Sequence, residues 1–142
     1  MRALLDVNVL IALFDTGHVH HADAFTWWTK HRNDGWASCP LTQNGFVRVI
    51  SGSRYPRPLA IADAIALMGA QMALPGHVFW PDDVSLADPK RFAHDRLAGP
   101  SQITDAYLLA LAVQNDGRLV TFDRTIPLSA ARGAEPRHVV AL

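Results

Sequence analysis

Short apolar runs and helically spaced apolar positions alternate along the chain, and the alternation predicts a repeated strand–helix order. Leu4-Leu5 reads as a buried strand ending at Asp6, and Val9 to Phe14 as a short helix. After the turn Asp15-Thr16-Gly17-His18, the stretch from His20 to His31 carries Ala24, Trp27 and Trp28 at helical spacing. Gly35 to Cys39 predicts a second strand. Pro40-Leu41-Thr42 opens a helix through Ile50, with Thr42 as the expected N-cap and Phe46, Val47 and Ile50 on the apolar face. A Gly/Ser/Arg/Pro loop covers Ser51 to Pro58. An Ala-rich helix from Leu59 to Leu74 closes at Pro75-Gly76.

Val78-Phe79-Trp80 predicts a third strand, and Asp88 to Leu97 a short helix. Ser101 or Thr104 caps a helix from Asp105 to about Gln114, with Leu108, Leu109, Ala112 and Val113 apolar. Asn115-Asp116-Gly117 is a turn. Leu119-Val120-Thr121 is the fourth strand, and His138 to Ala141 the fifth. No repeat, linker or low-complexity tract interrupts this order, so residues 1–142 read as a single domain. Strands alternating with helices predict an α/β/α sandwich of three layers around a mostly parallel sheet. Such sheets place ligand sites beyond the carboxyl ends of the strands, where the strand order switches. Asp6 directly follows the first strand, Asp123 lies just past the fourth, and Asp105 lies in the first turn of a helix.

Composition narrows the chemistry. The 13 basic and 13 acidic residues cancel, so a polyanion would have to be held by a local basic patch or by metal. All the acids but Glu135 are aspartates, short carboxylates suited to loops, caps and metal sites. The lone Cys39 permits no intrachain disulfide and no cysteine zinc site, which fits a reducing, cytoplasmic setting. Asp6 breaks the apolar N-terminal run, and no stretch reaches the roughly 18 unbroken apolar residues of a membrane span.

Hydrolysis of a phosphodiester requires an activated water, neutralised phosphoryl oxygens and a stabilised leaving oxygen. Bound Mg²⁺ can serve all three needs. Mg²⁺ prefers hard oxygen ligands and keeps several waters, so a magnesium nuclease needs aspartates held rigidly at strand ends and helix starts. Asp6, Asp105 and Asp123 meet that requirement. Taken singly, each has a plainer reading. Asp105 can be a helix-start residue, Asp123 a turn residue paired with Arg124, and Asp6 a buried hydrogen-bonded acid.

The stretch Leu4-Leu5-Asp6-Val7-Asn8-Val9-Leu10-Ile11 resembles the first motif of PIN-domain nucleases. Ile103-Thr104-Asp105-Ala106-Tyr107-Leu108-Leu109-Ala110-Leu111-Ala112 resembles their third motif, and Leu119-Val120-Thr121-Phe122-Asp123-Arg124 their fourth. Order, spacing and length are similar to the VapC-type toxins of type II toxin–antitoxin pairs, across essentially the whole chain. The resemblance implies a PIN-like fold, an endoribonuclease dependent on Mg²⁺ or Mn²⁺ that acts on RNA such as tRNA, a homodimer, and silencing by a VapB-type antitoxin. It implies Asp6 and Asp105 as direct metal ligands, Asp123 as the third acid, and Asn8 and Thr121 as residues that orient these carboxylates. One departure stands out. The second family motif carries a Glu, whereas here Leu41-Thr42-Gln43-Asn44-Gly45-Phe46-Val47-Arg48 holds no acid, and the expected position falls at Asn44 or Gly45. Gln43 or Asn44 could supply a neutral oxygen or be helix-start polar residues.

Other residues invite weaker readings. His18, His20 and His21 do not match a zinc motif; they read as solvated or structural, with one of them at the mouth of the site as the functional alternative. Trp27, Trp28, Trp36 and Trp80 default to core. Arg48 and Arg124 are the foremost candidates for the RNA backbone, with Arg54, Arg57 and Arg118 behind them. The rival classes are a small-molecule phosphohydrolase and a non-catalytic PIN-like binding module. Against the first, aspartyl-phosphate chemistry calls for Asp-x-Asp after the first strand, and position 8 is Asn.

Overall fold

The computed structural model describes residues 1–142. Five strands, β1 (Ala3–Leu5), β2 (Trp36–Ser38), β3 (His77–Phe79), β4 (Arg118–Thr121) and β5 (Val139–Ala141), pair in the order β3-β2-β1-β4-β5. Every neighbouring pair is parallel, so the sheet is wholly rather than mostly parallel. Parallel strands need crossover connections; α1 (Val7–Phe14), α2 (His21–His31), α3 (Pro40–Ile50), α4 (Ile61–Met72) and α5 (Ile103–Gln114) supply all but the one from β4 to β5, which carries only the 3₁₀ turns Leu128–Ala130 and Pro136–His138. No helix is long and apolar enough to cross a membrane.

The two-residue period of the strands divides the core into two layers. Leu4, Ala37 and Leu119 face one cluster with α5, Trp80, Phe92 and Ala130. Ala3, Leu5, Trp36 and Val120 face the other, with Val9 and Leu10 of α1, Phe46 and Ile50 of α3, and Met68 of α4. The result is helices on both faces of a buried parallel sheet. Helix α5 is buried at every position from Ala106 to Ala112, because a second cover lies outside it. That cover contains Val84, Phe92, Ala130 and Ala131, joined by an antiparallel bridge between Phe92 and Ala131.

This cover explains the main departure from the sequence reading. The expected helix from Asp88 to Leu97 does not form. The segment carries only a single 3₁₀ turn at His94–Arg96. The Asp88 carboxylate accepts from the Lys90 amide, and the Ala93 amide donates to the Ala130 carbonyl. A local side-chain turn and a distant backbone partner thus take the groups that a helix would use. The caps differ as well. Cys39 is the N-cap of α3, and Thr42 sits at the third helical position with its hydroxyl accepting from the Cys39 amide. Helix α5 starts at Ile103 after Gln102, without a side-chain cap from Ser101 or Thr104. At the turn before β4, Gly117 packs so tightly that a Cβ would come within 2.5 Å of the Trp80 ring and 2.8 Å of the Arg2 carbonyl. Trp36 and Trp80 are buried, whereas Trp27 is only partly buried, stacked on His31 beneath the Arg118 guanidinium.

Candidate functional site

The strand order turns back between β1 and β4: β2 and β3 lie on one side of β1, β4 and β5 on the other. The carboxyl ends of these two central strands therefore form the switch point at which α/β sheets carry their ligands. Asp6 leaves β1 there and serves as the N-cap of α1, its Oδ1 accepting from the Val7 amide at 2.7 Å. Its Oδ2 accepts from the Thr121 hydroxyl at 2.8 Å. Thr121 is fully buried at the end of β4, and the same hydroxyl oxygen accepts from the Asp123 amide at 3.0 Å. One buried hydroxyl thus ties the two strand ends together and fixes both acids. Asp123 is further aimed by Thr125, whose amide and hydroxyl donate to its Oδ1 at 2.7 and 2.6 Å. Thr125 was not among the expected residues, although Asp-x-Thr carries the signature of a side-chain turn closing two residues on.

Asp105 approaches from the opposite layer, in the first turn of α5. Burial pushes its carboxyl up to about 6, and the charges of Asp6 and Asp123 add to the rise. Burial likewise raises Asp6, against the lowering effect of its bonds to Thr121 and Val7. Asp123 moves the other way, held low by the two Thr125 bonds. The three expected acids thus feel one another's charge, and none is in a salt bridge. They do not form a closed cage. Nowhere in the molecule do three His, Cys, Asp or Glu side chains converge as a ready-made metal site. A hard divalent cation does not require one, since Mg²⁺ takes one or two carboxylates and completes its shell with water. The donor set, all carboxylate oxygen with like charges left uncompensated, fits such an ion. The larger concavities lie elsewhere and are lined by none of these acids, so the centre is an open notch rather than a small-molecule pocket.

The other expected residues divide. Asn8 is exposed on the first turn of α1 and makes no side-chain hydrogen bond; the observed orienting contacts come from Thr121, Thr125 and the Val7 amide. Arg124 is exposed beside Asp123 and carries no salt bridge. Arg48 is exposed near the end of α3, where it lines a groove with Arg54. Arg118 is not a free cation. It bonds Asp34 at 3.1 Å and His31 at 3.2 Å at the start of β4, away from the acids. Gln43 donates to the buried Ser38 hydroxyl at 3.0 Å, and Asn44 is exposed.

The missing acid of the second motif has a local geometry. Gly45 is buried against α1, and a Cβ there would lie 2.5 Å from Val7 Cγ2, next to Asp6. Gly45→Ala should therefore destabilise the fold by a net ~1 kcal/mol, since overpacking costs ~1–3 kcal/mol and better helix propensity returns about 1. Thr121→Val should cost more, about 2 kcal/mol, because it strips a hydrogen bond from a buried carboxylate and another from a backbone amide. Urea denaturation of each variant measures both losses.

The pattern that defines the PIN domain matches residues 3–131. The chain is 54% identical to Ribonuclease VapC44 of Mycobacterium tuberculosis over 142 residues, 100% of both proteins. It is 46% identical to Ribonuclease VapC39 of the same organism over 135 residues, covering 94% of this chain and 96% of the relative. A solved chain from the VapBC2 complex of Rickettsia felis, crystallised with a DNA fragment from its promoter, superposes with a TM-score of 0.58 over 87% of this chain and 89% of its own. At 11% identity that likeness bears on the fold alone. The three-layer parallel fold, the acids at the switch point and these full-length relatives lead to one conclusion: the chain belongs to the PIN-domain family, in its VapC ribonuclease branch.

Proposed function

We propose that this chain is the toxin of a type II toxin–antitoxin pair, an endoribonuclease that hydrolyses RNA phosphodiesters with Mg²⁺ or Mn²⁺ at Asp6, Asp105 and Asp123. The observation that carries the reading is that three uncompensated carboxylates at the β1–β4 switch point feel one another's charge, with Asp6 and Asp123 tied to one Thr121 hydroxyl. A divalent cation held there would neutralise phosphoryl oxygens and lower the pKa of a coordinated water. The side chains supply the rest. Thr121 and the Val7 amide each occupy one position on an Asp6 oxygen, so each oxygen keeps a further lone pair for a cation. Thr125 occupies Asp123 Oδ1, and the Asp123 carboxyl also lies within hydrogen-bond reach of Asp105. Asp105 holds its proton more tightly than a free carboxyl, through burial and its anionic neighbours, and an arriving cation would ease its release. Arg124, exposed next to Asp123 and in no salt bridge, is the cation we assign to an RNA phosphate.

The relatives named as VapC ribonucleases support RNA as the substrate, and the VapBC2 neighbour supports a VapB-type antitoxin as partner. A homodimer and a cytoplasmic setting complete the proposal. The test is cleavage of bacterial RNA by the purified chain with Mg²⁺ or Mn²⁺ and with EDTA, together with growth arrest on expression. Cleavage that stops with EDTA supports the reading. A chain that neither cuts RNA with either metal nor arrests growth is a binding module instead.

A further inference from the structure

Three histidines lie in a row next to the acid centre, and the structure accounts for two of them. His18 Nδ1 accepts from the His20 amide at 3.1 Å, which satisfies a free N–H ahead of α2. His21 Nδ1 pairs with the Ala12 carbonyl at 2.7 Å and pins α2 to α1. His20 does neither. As the N-cap of α2 it makes no side-chain cap bond, and its side chain is 51% exposed. Its one polar neighbour is Asp23 at 3.8 Å, an exposed pair of little energetic weight. The His20 ring packs instead on Phe122, with centroids 4.9 Å apart and planes 33° from parallel. Phe122 stands between Thr121 and Asp123 in the chain, and its ring packs on the α1–α3 side of the sheet. The His18 ring lies 5.8 Å away, tilted 43° to the His20 ring, so it does not stack on it.

We infer that His20, backed by Phe122 and positioned by His18, is the platform on which a nucleobase flanking the scissile phosphate stacks. The inference rests on the nuclease reading above and adds to it a specific substrate contact. RNA cut beside three acids gains from a contact that does not depend on charge, because the acids repel the backbone until a cation is bound. Stacking on an aromatic face meets that need and tolerates any base sequence. His20 is exposed, its backing Phe122 is partly buried between Thr121 and Asp123 in the chain, and Asp105 comes from α5 in the opposite layer. A strand crossing the notch would thus present one base to the His20 ring while its phosphate faces Asp6 and Asp123.

The test is a double-mutant cycle with a short RNA spanning a site that the unaltered chain cuts in total bacterial RNA. His20→Ala should lower kcat/KM about tenfold, mainly through KM, whereas His20→Phe should stay within about twofold, because a benzene ring also stacks. On the same RNA with an abasic ribose at each flanking position in turn, one position should make the His20→Ala variant and the unaltered chain equal, the sign of a direct pairwise contact. If His20→Ala loses as much on every abasic RNA as on the intact one, or His20→Phe fails to restore cleavage, the platform assignment is wrong and the nuclease reading stands. If the unaltered chain cuts no RNA, the nuclease reading itself has failed.

Discussion

Asp6→Asn should abolish RNA cleavage, lowering the rate by at least about 1000-fold, which corresponds to roughly 4 kcal/mol of lost transition-state stabilisation. Asparagine matches aspartate in shape, so its carbonyl oxygen can still accept from the Val7 amide that now bonds Oδ1 at 2.7 Å. The fold is not put at risk, because burial already disfavours a charge at this position. What disappears is one of the two carboxylates, Asp6 at the end of β1 and Asp105 on α5, that would hold a hard cation. Asp105→Asn should have an effect of the same order. Asp123→Asn should be milder, about 10- to 100-fold, in keeping with a group that acts through water. Gel assays with excess Mn²⁺ measure all three. If Asp6→Asn keeps a tenth of the original rate and EDTA leaves that activity intact, no metal centre operates at Asp6.

The elements that proved legible from sequence are those whose apolar pattern is decided locally. Leu4-Leu5-Asp6 had to be a central strand running into chemistry, and Thr121-Phe122-Asp123 had to end its neighbour. The segment from Asp88 to Leu97 was illegible because its backbone is satisfied by Ala130 and Ala131 across the cover of α5, a partnership with no local trace. Arg118 read as a free cation for the same reason. Its partners His31 and Asp34 lie more than 80 residues away in the chain and meet it only when β4 joins the sheet. Asn8 was assigned an orienting role by analogy of position, but on the first turn of α1 it faces solvent, and Thr121 reaches Asp6 from the adjacent strand. Thr125 could have been read as an Asp-x-Thr turn. Of the two positions where the second motif's acid is expected, Gly45 has no room for a side chain beside Val7, a contact between α1 and α3 that leaves no local trace in the sequence.

Saturating Mn²⁺ should stabilise the chain by about 3 kcal/mol at one hundred times its dissociation constant, raising Tm by roughly 8–10 °C for a domain of this size. The physical basis is that the metal-free site is strained by its own charges. The Asp105 carboxyl is raised to about 6 in the fold, from 3.8. A raised carboxyl binds its proton more tightly in the native state than in the unfolded one. Its contribution is therefore fully present below the unfolded pKa and is lost as pH rises through about 6. Burial moves Asp6 in the same direction. Since Asp105 is only half-buried, solvent screening cuts the Asp105 share to about 1 kcal/mol. In EDTA, then, the acids of the notch should make stability fall between about pH 4 and pH 6.5, whereas with Mn²⁺ it should rise across the same window as the cation displaces the protons. Asp105→Asn should remove the Asp105 share of the pH effect and the response to Mn²⁺, leaving the metal-free protein about 1 kcal/mol more stable near pH 7. Thermal melts at several pH values, with and without metal, test the set. A Tm that ignores Mn²⁺ in the unaltered chain would mean that Asp6, Asp105 and Asp123 do not share a cation.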